Sequence, residues 1–103
     1  MNINDVEERE LIPGTRVRFV HSDRMTVAHW HFDPDIDLPE HSHPHDQICN
    51  VLEGEFELTV DGVPEILTAG HYRVIPPDVI HSGHSITACK IIDVFSPVRD
   101  DYR

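Results

Sequence analysis

The sequence predicts an all-β domain, a small antiparallel sandwich or barrel, and three observations carry that expectation. Helical periodicity is almost absent from the 103 residues. Short runs rich in Val, Ile, Thr and aromatic residues recur along the chain, punctuated by Gly, Pro and Asp. Asp61-Gly62 stands between two apolar runs, a strong hairpin signal.

The elements follow in order. Residues 1–14 read as an N-terminal arm with room for one helical turn, closed by the turn Pro13-Gly14. Strands are expected near 15–20, 25–32, 37–42, 47–53, 55–61, 63–68, 71–75, 79–84 and 87–95. The turns that separate them are Phe32-Asp33-Pro34-Asp35, His43-Pro44-His45-Asp46, Glu53-Gly54, Asp61-Gly62, Ala69-Gly70 and Pro76-Pro77-Asp78. In the second strand, alternation sets Trp30 on the face of Ala28 and Phe32, expected inside, with His29 and His31 outward. The last strand carries Cys89, Ile91, Asp93 and Phe95 on one face and Lys90, Ile92 and Val94 on the other. Both faces are largely apolar, so both are expected to be covered, the second by another sheet or another subunit. That expectation favours a homodimer. Asp93 then sits among apolar neighbours, where a carboxylate is costly unless it is paired or used.

The length fits a single domain over 1–103. Eight Lys and Arg against 19 Asp and Glu give a net charge of −11. Such a surface repels nucleic acid and anionic membranes, so neither is an expected partner. It suits a saline habitat and plain solubility alike. The start, Met1 to Glu8, is acidic and has no apolar run, which predicts no secretory leader. Cys49 and Cys89 lie in strand-like runs and read as buried reduced thiols. A cytoplasmic location is expected.

Nine histidines in this length is a high count. Three of them fall in His41-Ser42-His43-Pro44-His45-Asp46-Gln47, and His81 answers about forty residues later. His-rich loops are often solvated surface, but these are followed directly by a strand pattern. Two His one residue apart on an extended chain share a face, which suits two imidazoles on one metal ion. Gln47 offers an oxygen, and His81 closes the site if the sheet curls into a barrel.

Two separated motifs strengthen this reading. His41-x-His43, three residues, Gln47, six residues and Gly54 resembles the first cupin motif, with Gln where most members have Glu. Gly70, five residues, Pro76-x-Asp78, two residues and His81 resembles the second, with Asp78 for the usual Gly and Ser85 for the final Asn. The resemblance covers about 25–96 and implies a double-stranded β-helix, the jelly-roll barrel, holding one divalent transition metal on His41, His43, Gln47 and His81. Ni, Zn, Fe or Mn are the candidates, since imidazole donors leave the choice open. Leu38 to Gln47 and Asp93 to Tyr102 further resemble the family of pectin-degradation proteins called KdgF. That family opens 4,5-unsaturated monouronates to linear keto-uronates, and its functional Asp, Phe and Arg match Asp93, Phe95 and Arg99.

Three His and one Gln carry no negative charge, so a bound ion keeps its full charge toward an anionic sugar acid. The resemblance makes Asp93 a general acid or base. Arg99 is a candidate carboxylate clamp, or a surface arginine among Asp100 and Asp101. Phe95 shapes the pocket or fills the core. His45 is expected at the rim, His71 in a turn and His21 on the surface, with His84 and Tyr72 as candidates lining the site. The expected function is enzymatic conversion of an unsaturated monouronate. The alternatives are a cupin dioxygenase or lyase on another small acid, and a cupin that binds a sugar acid or metal without turnover.

Overall fold

The computed structural model describes all 103 residues. Nine strands form two antiparallel sheets: β1 Thr15–His21, β2 Thr26–Phe32, β3 Asp37–His41, β4 Asp46–Glu53, β5 Phe56–Val60, β6 Val63–Leu67, β7 Tyr72–Ile75, β8 His81–Ser85 and β9 Cys89–Ser96. Each lies within two residues of its expected position. One sheet runs β1-β2-β9-β4-β7 and the other β3-β8-β5-β6. This is the jelly-roll arrangement that the two motifs imply. Short 3-10 turns at Ile3–Asp5 and Asp100–Tyr102 flank the barrel. No helix is long and apolar enough to cross a membrane.

Alternation builds the interior. Ala28, Trp30 and Phe32 from β2, Cys49 and Val51 from β4, and Ile91 and Phe95 from β9 are all buried in one apolar cluster. Phe56, Leu58 and Val60 meet them from the opposite sheet. Burying a side chain of this size contributes about 1.5–3 kcal/mol. The hairpin at Asp61-Gly62 has φ of 50° and 77°, the paired left-handed conformation of a two-residue type I′ turn. At Gly54, φ is 89° and a Cβ would collide with the Ala88 carbonyl, so only glycine fits there.

One expectation narrows and another changes. The outward face of β9 is not covered by another sheet, which leaves a second subunit as its expected cover: Ile92 and Val94 are half-buried and Lys90 is exposed. Val94 belongs to an outer row in which Val20, Val27, Val94, Ile48 and Val74 stand side by side across all five strands. A barrel of two sheets has one interior, and β9 is already central in its sheet. His84 and Tyr72 also leave the interior, because their strand phase points them outward. His84 pairs with Asp37 at 2.7 Å and faces Asp35 at 3.5 Å, and Tyr72 is exposed.

Ser85 explains itself structurally. It is fully buried, its Oγ donates to the Asp33 carbonyl at 2.6 Å and accepts from the Ile36 N–H at 2.9 Å, and its backbone bonds Asp35 and Ile36. It thereby ties the loop before β3 to the end of β8. Ser85→Ala leaves the Ile36 N–H without its partner. We expect a loss of about 1–3 kcal/mol, read as a lower midpoint in urea unfolding, with metal binding retained.

Candidate metal centre

The four expected ligands come together at one end of the barrel. His41 ends β3 and lies directly across from His81, the first residue of β8. His43 is not on a strand; it sits in the turn before β4, where the Asp78 N–H holds its carbonyl at 2.8 Å. Gln47 points inward from β4, opposite Phe95 and Ile75. The His41 and His81 ring centroids are 4.2 Å apart, and those of His43 and His81 are 4.9 Å apart. One ligand atom from each of His41, His43 and His81 lies within 4.8 Å of the others.

The ring nitrogens are presented for coordination. His41 Nδ1 bonds the Pro39 carbonyl and His81 Nδ1 bonds the Val79 carbonyl, each at 2.8 Å. A carbonyl only accepts, so Nδ1 is a donor in both rings, which makes Nε2 the nitrogen that each neutral ring can offer to a metal. His81 Nε2 is buried with no hydrogen-bond partner. His43 Nε2 and Gln47 Oε1 are 3.0 Å apart. Two donors about 2.1 Å from one ion and at right angles are separated by about 3 Å, so this spacing also fits a shared metal. Burial, with Arg99 nearby, pushes the His43 ring down to about 4, and burial lowers His81 as well. Both shifts favour the neutral ring, the form that ligates. A divalent transition ion fits these residues.

Below them lies a cavity lined by apolar side chains with a few polar groups, among them Gln47, Cys49, Asp93 and Arg99. Asp93 projects from β9 between Ala28 and Cys49, its cross-strand neighbours. Its Oδ1 is buried without a partner. Burial raises its carboxyl to about 6, against the opposing pull of Gln47, Cys49, Arg99 and His41. Burial and the neighbouring Asp93 push the Cys49 thiol well above its ordinary range.

Arg99 is not a surface residue; it is 7% exposed and lines the cavity. Phe95 both fills the core and shapes the site, with its ring edge-to-face with His43 at 5.7 Å and under the Arg99 guanidinium at 4.8 Å. His45 is half-buried beside His43, their rings 5.5 Å apart. His29 and His31 face outward, Trp30 faces the cavity, and His71 accepts from Thr68 N–H within its turn. His21 is half-buried rather than free, bonded to Thr26 Oγ1 at 2.8 Å.

Sequence reasoning placed Trp30 inside the barrel but left out Cys49 and Tyr102 as lining residues. Strand alternation could have found Cys49, which shares a face with Gln47. Tyr102 follows the last strand, where no period applies.

The ligand assignment has a direct check. His43→Ala and His81→Ala should each abolish stoichiometric metal in the purified protein, measured by elemental analysis. Full metal in both variants would rule the assignment out.

Comparison with known proteins agrees with this geometry. Residues 28–95 match the cupin domain. The chain is 32% identical over 83 residues to the pectin degradation protein KdgF of Dickeya dadantii, covering 79% of this chain and 76% of that protein. Among solved structures, an RmlC-like cupin from Shewanella frigidimarina superposes with a TM-score of 0.92 at 33% identity, covering 97% of this chain and 91% of the other. KdgF from a Halomonas species superposes with a TM-score of 0.91 at 28% identity, covering 97% and 94%.

Proposed function

This chain belongs to the cupin family, and from that premise we propose that it converts 4,5-unsaturated monouronates to linear keto-uronates. Two relatives in the comparison carry the name KdgF, one of them described as a pectin degradation protein. The observation that carries the reading is Asp93, a buried carboxyl with an unpartnered oxygen in the same cavity as the four uncharged ligands and Arg99. Once bound, a divalent ion supplies a Lewis acid toward substrate oxygens.

The reaction is an isomerisation and needs no oxidant or reductant. The hemiacetal hydroxyl gives up its proton and becomes the aldehyde. The bond from the anomeric carbon to the ring oxygen breaks, and that oxygen becomes an enol. The enol becomes a ketone as the neighbouring alkene carbon takes up a proton. Asp93 is the group that accepts and returns a proton here. A carboxyl near 6 exchanges protons in both directions close to neutral pH. Arg99 binds the sugar carboxylate, as a planar guanidinium suits. Phe95 and Trp30 exclude water from the cavity. We place the activity in the cytoplasm, in keeping with two cysteines that are free thiols.

The test is incubation with 4,5-unsaturated galacturonate, following loss of the ultraviolet absorbance of its double bond. Asp93→Asn keeps the shape of the side chain but cannot exchange a proton near neutral pH. It should retain fold and metal and lose activity on the order of 10²-fold or more. Near-parental turnover by metal-loaded Asp93→Asn would exclude the proton-transfer role.

We also infer a homodimer that covers the outer valine and isoleucine row of the five-stranded sheet. Ile48 and Val74 are 40% and 46% exposed, and the row is contiguous. Light scattering should give twice the chain mass at micromolar concentration, and Val94→Lys should shift it to the monomer. A monomer mass for the parent across that range would exclude the dimer.

A further inference from the structure

Arg99 is held more closely than a solvent-facing arginine requires. Its backbone N–H donates to the buried Thr26 Oγ1 at 2.9 Å. Nε donates to Asp101 Oδ1 at 3.0 Å and Nη2 to Asp101 Oδ2 at 2.7 Å. Two aromatic rings flank the guanidinium, with Cζ 4.8 Å from the Phe95 centroid and 4.2 Å from that of Tyr102, and the rings are themselves edge-to-face at 6.2 Å. Tyr102 is itself fixed from behind. It stacks on Phe19 at 4.4 Å, and Arg9 Nη1 donates to its carbonyl at 2.7 Å. The N-terminal arm thus braces the C-terminal turn against the barrel.

A guanidinium has two edges that can each grip a carboxylate with paired N–H donors. Asp101 occupies the edge made by Nε and Nη2. No carboxylate of the chain engages Nη1, and Arg99 borders the cavity that holds His43, Gln47 and Asp93. Side chains that fix a functional group by packing and hydrogen bonds preorganise it for a ligand.

We propose that Asp101 and Tyr102 are positioning residues that set Arg99 as an anion clamp, and that a sugar-acid carboxylate takes the Nη1 edge that Asp101 leaves free. Asp101 orients the fork through its own edge. Tyr102 and Phe95 pack against it and limit how far it can swing. The cavity ligand is therefore an organic anion held by its carboxylate on the C-terminal side of the barrel mouth. This rests on the uronate reading of the cavity, so the test uses a ligand that cannot be turned over.

The probe is D-galacturonate, which has no ring double bond, titrated calorimetrically into the metal-loaded protein, with D-galactose as the uncharged comparison. The parent should bind galacturonate well above galactose. Asp101→Asn should weaken galacturonate about tenfold, the scale of a disturbed charge-assisted pair, and leave galactose unchanged. Asp101→Glu, which restores the carboxylate, should recover most of the affinity. Metal content and melting temperature, read on the same samples, should stay near parental values. Arg99→Lys keeps the charge but loses the fork and should weaken galacturonate alone. It serves as the second variant if Asp101→Asn does not fold.

Parental or tighter galacturonate binding by Asp101→Asn would overturn the proposal, because Asp101 would then compete for Arg99 rather than position it. Equal binding of galactose and galacturonate by the parent would overturn it too. If unsaturated galacturonate is not turned over but the expected binding pattern appears, the reaction assignment falls and the clamp stands. Turnover by the parent together with parental binding in Asp101→Asn has the opposite meaning.

Discussion

The register between β4 and β9 is the constraint on which the rest of the molecule depends. Gln47 stands opposite Phe95, Ile48 opposite Val94 and Cys49 opposite Asp93. Strand side chains alternate, so a one-residue slip of β4 would turn Gln47 and Cys49 outward and Ile48 into the core. The same slip of β9 would expel Asp93 and Phe95 and bury Val94. The pairing is one of the two inner ones of the five-stranded sheet, bounded by β2 on one side and β7 on the other. A ligand, the catalytic candidate and the pocket wall thus share one structural determinant with the hydrophobic core.

The same architecture concentrates unsatisfied polar groups. Buried side-chain atoms without partners belong to Trp30, His43, His45, His81 and Asp93. Each unmet group costs about 1–3 kcal/mol, and a native core normally contains few of them. Here Trp30, His43, His81 and Asp93 line one cavity, and His45 stands beside His43. Elsewhere buried polar groups are fully used, as Ser85 and Thr26 are. A fold whose unpartnered buried side-chain atoms gather in one place marks that place as a candidate site.

How much of this could be read from the sequence follows from the physics of each part. The strands and turns were legible because alternation and turn chemistry are local. The candidate ligands could be picked out because both motifs have fixed spacing, and the structure adds how the motifs are tied together: the Asp78 N–H in the second holds the His43 carbonyl in the first. Asp78 takes φ of 64°, a conformation that favours glycine, which accounts for Gly being usual at that position. The surroundings of Arg99 were not legible. Asp101 and Tyr102 act through a 3-10 turn without periodicity, and their brace comes from Phe19 and Arg9, more than eighty residues away in sequence. His84 and Tyr72 were misplaced because the strand phase decides their face, and histidine or tyrosine suits either side.

For a chain with net charge −11, the proposed anionic ligand would meet a long-range repulsion and a short-range attraction. The surface charges act through water, where the screening length is about 8 Å at physiological salt, so most of them are invisible to a ligand already inside the barrel. At contact the balance differs. Opposite charges about 4 Å apart attract by about 4 kcal/mol at an effective dielectric near 20, and a buried site screens them less than the surface does. Arg99 lies within the cavity, and the His and Gln donors add no negative charge to offset it. Asp101 neutralises Arg99 only in part of its reach, since its carboxylate sits on one edge and is 55% exposed. The acidic surface therefore slows the approach of an anion, most of all at low ionic strength, while the cavity determines how tightly it is held. Added salt should relieve the first effect more than it weakens the second, because only the surface charges stand fully in the ionic atmosphere.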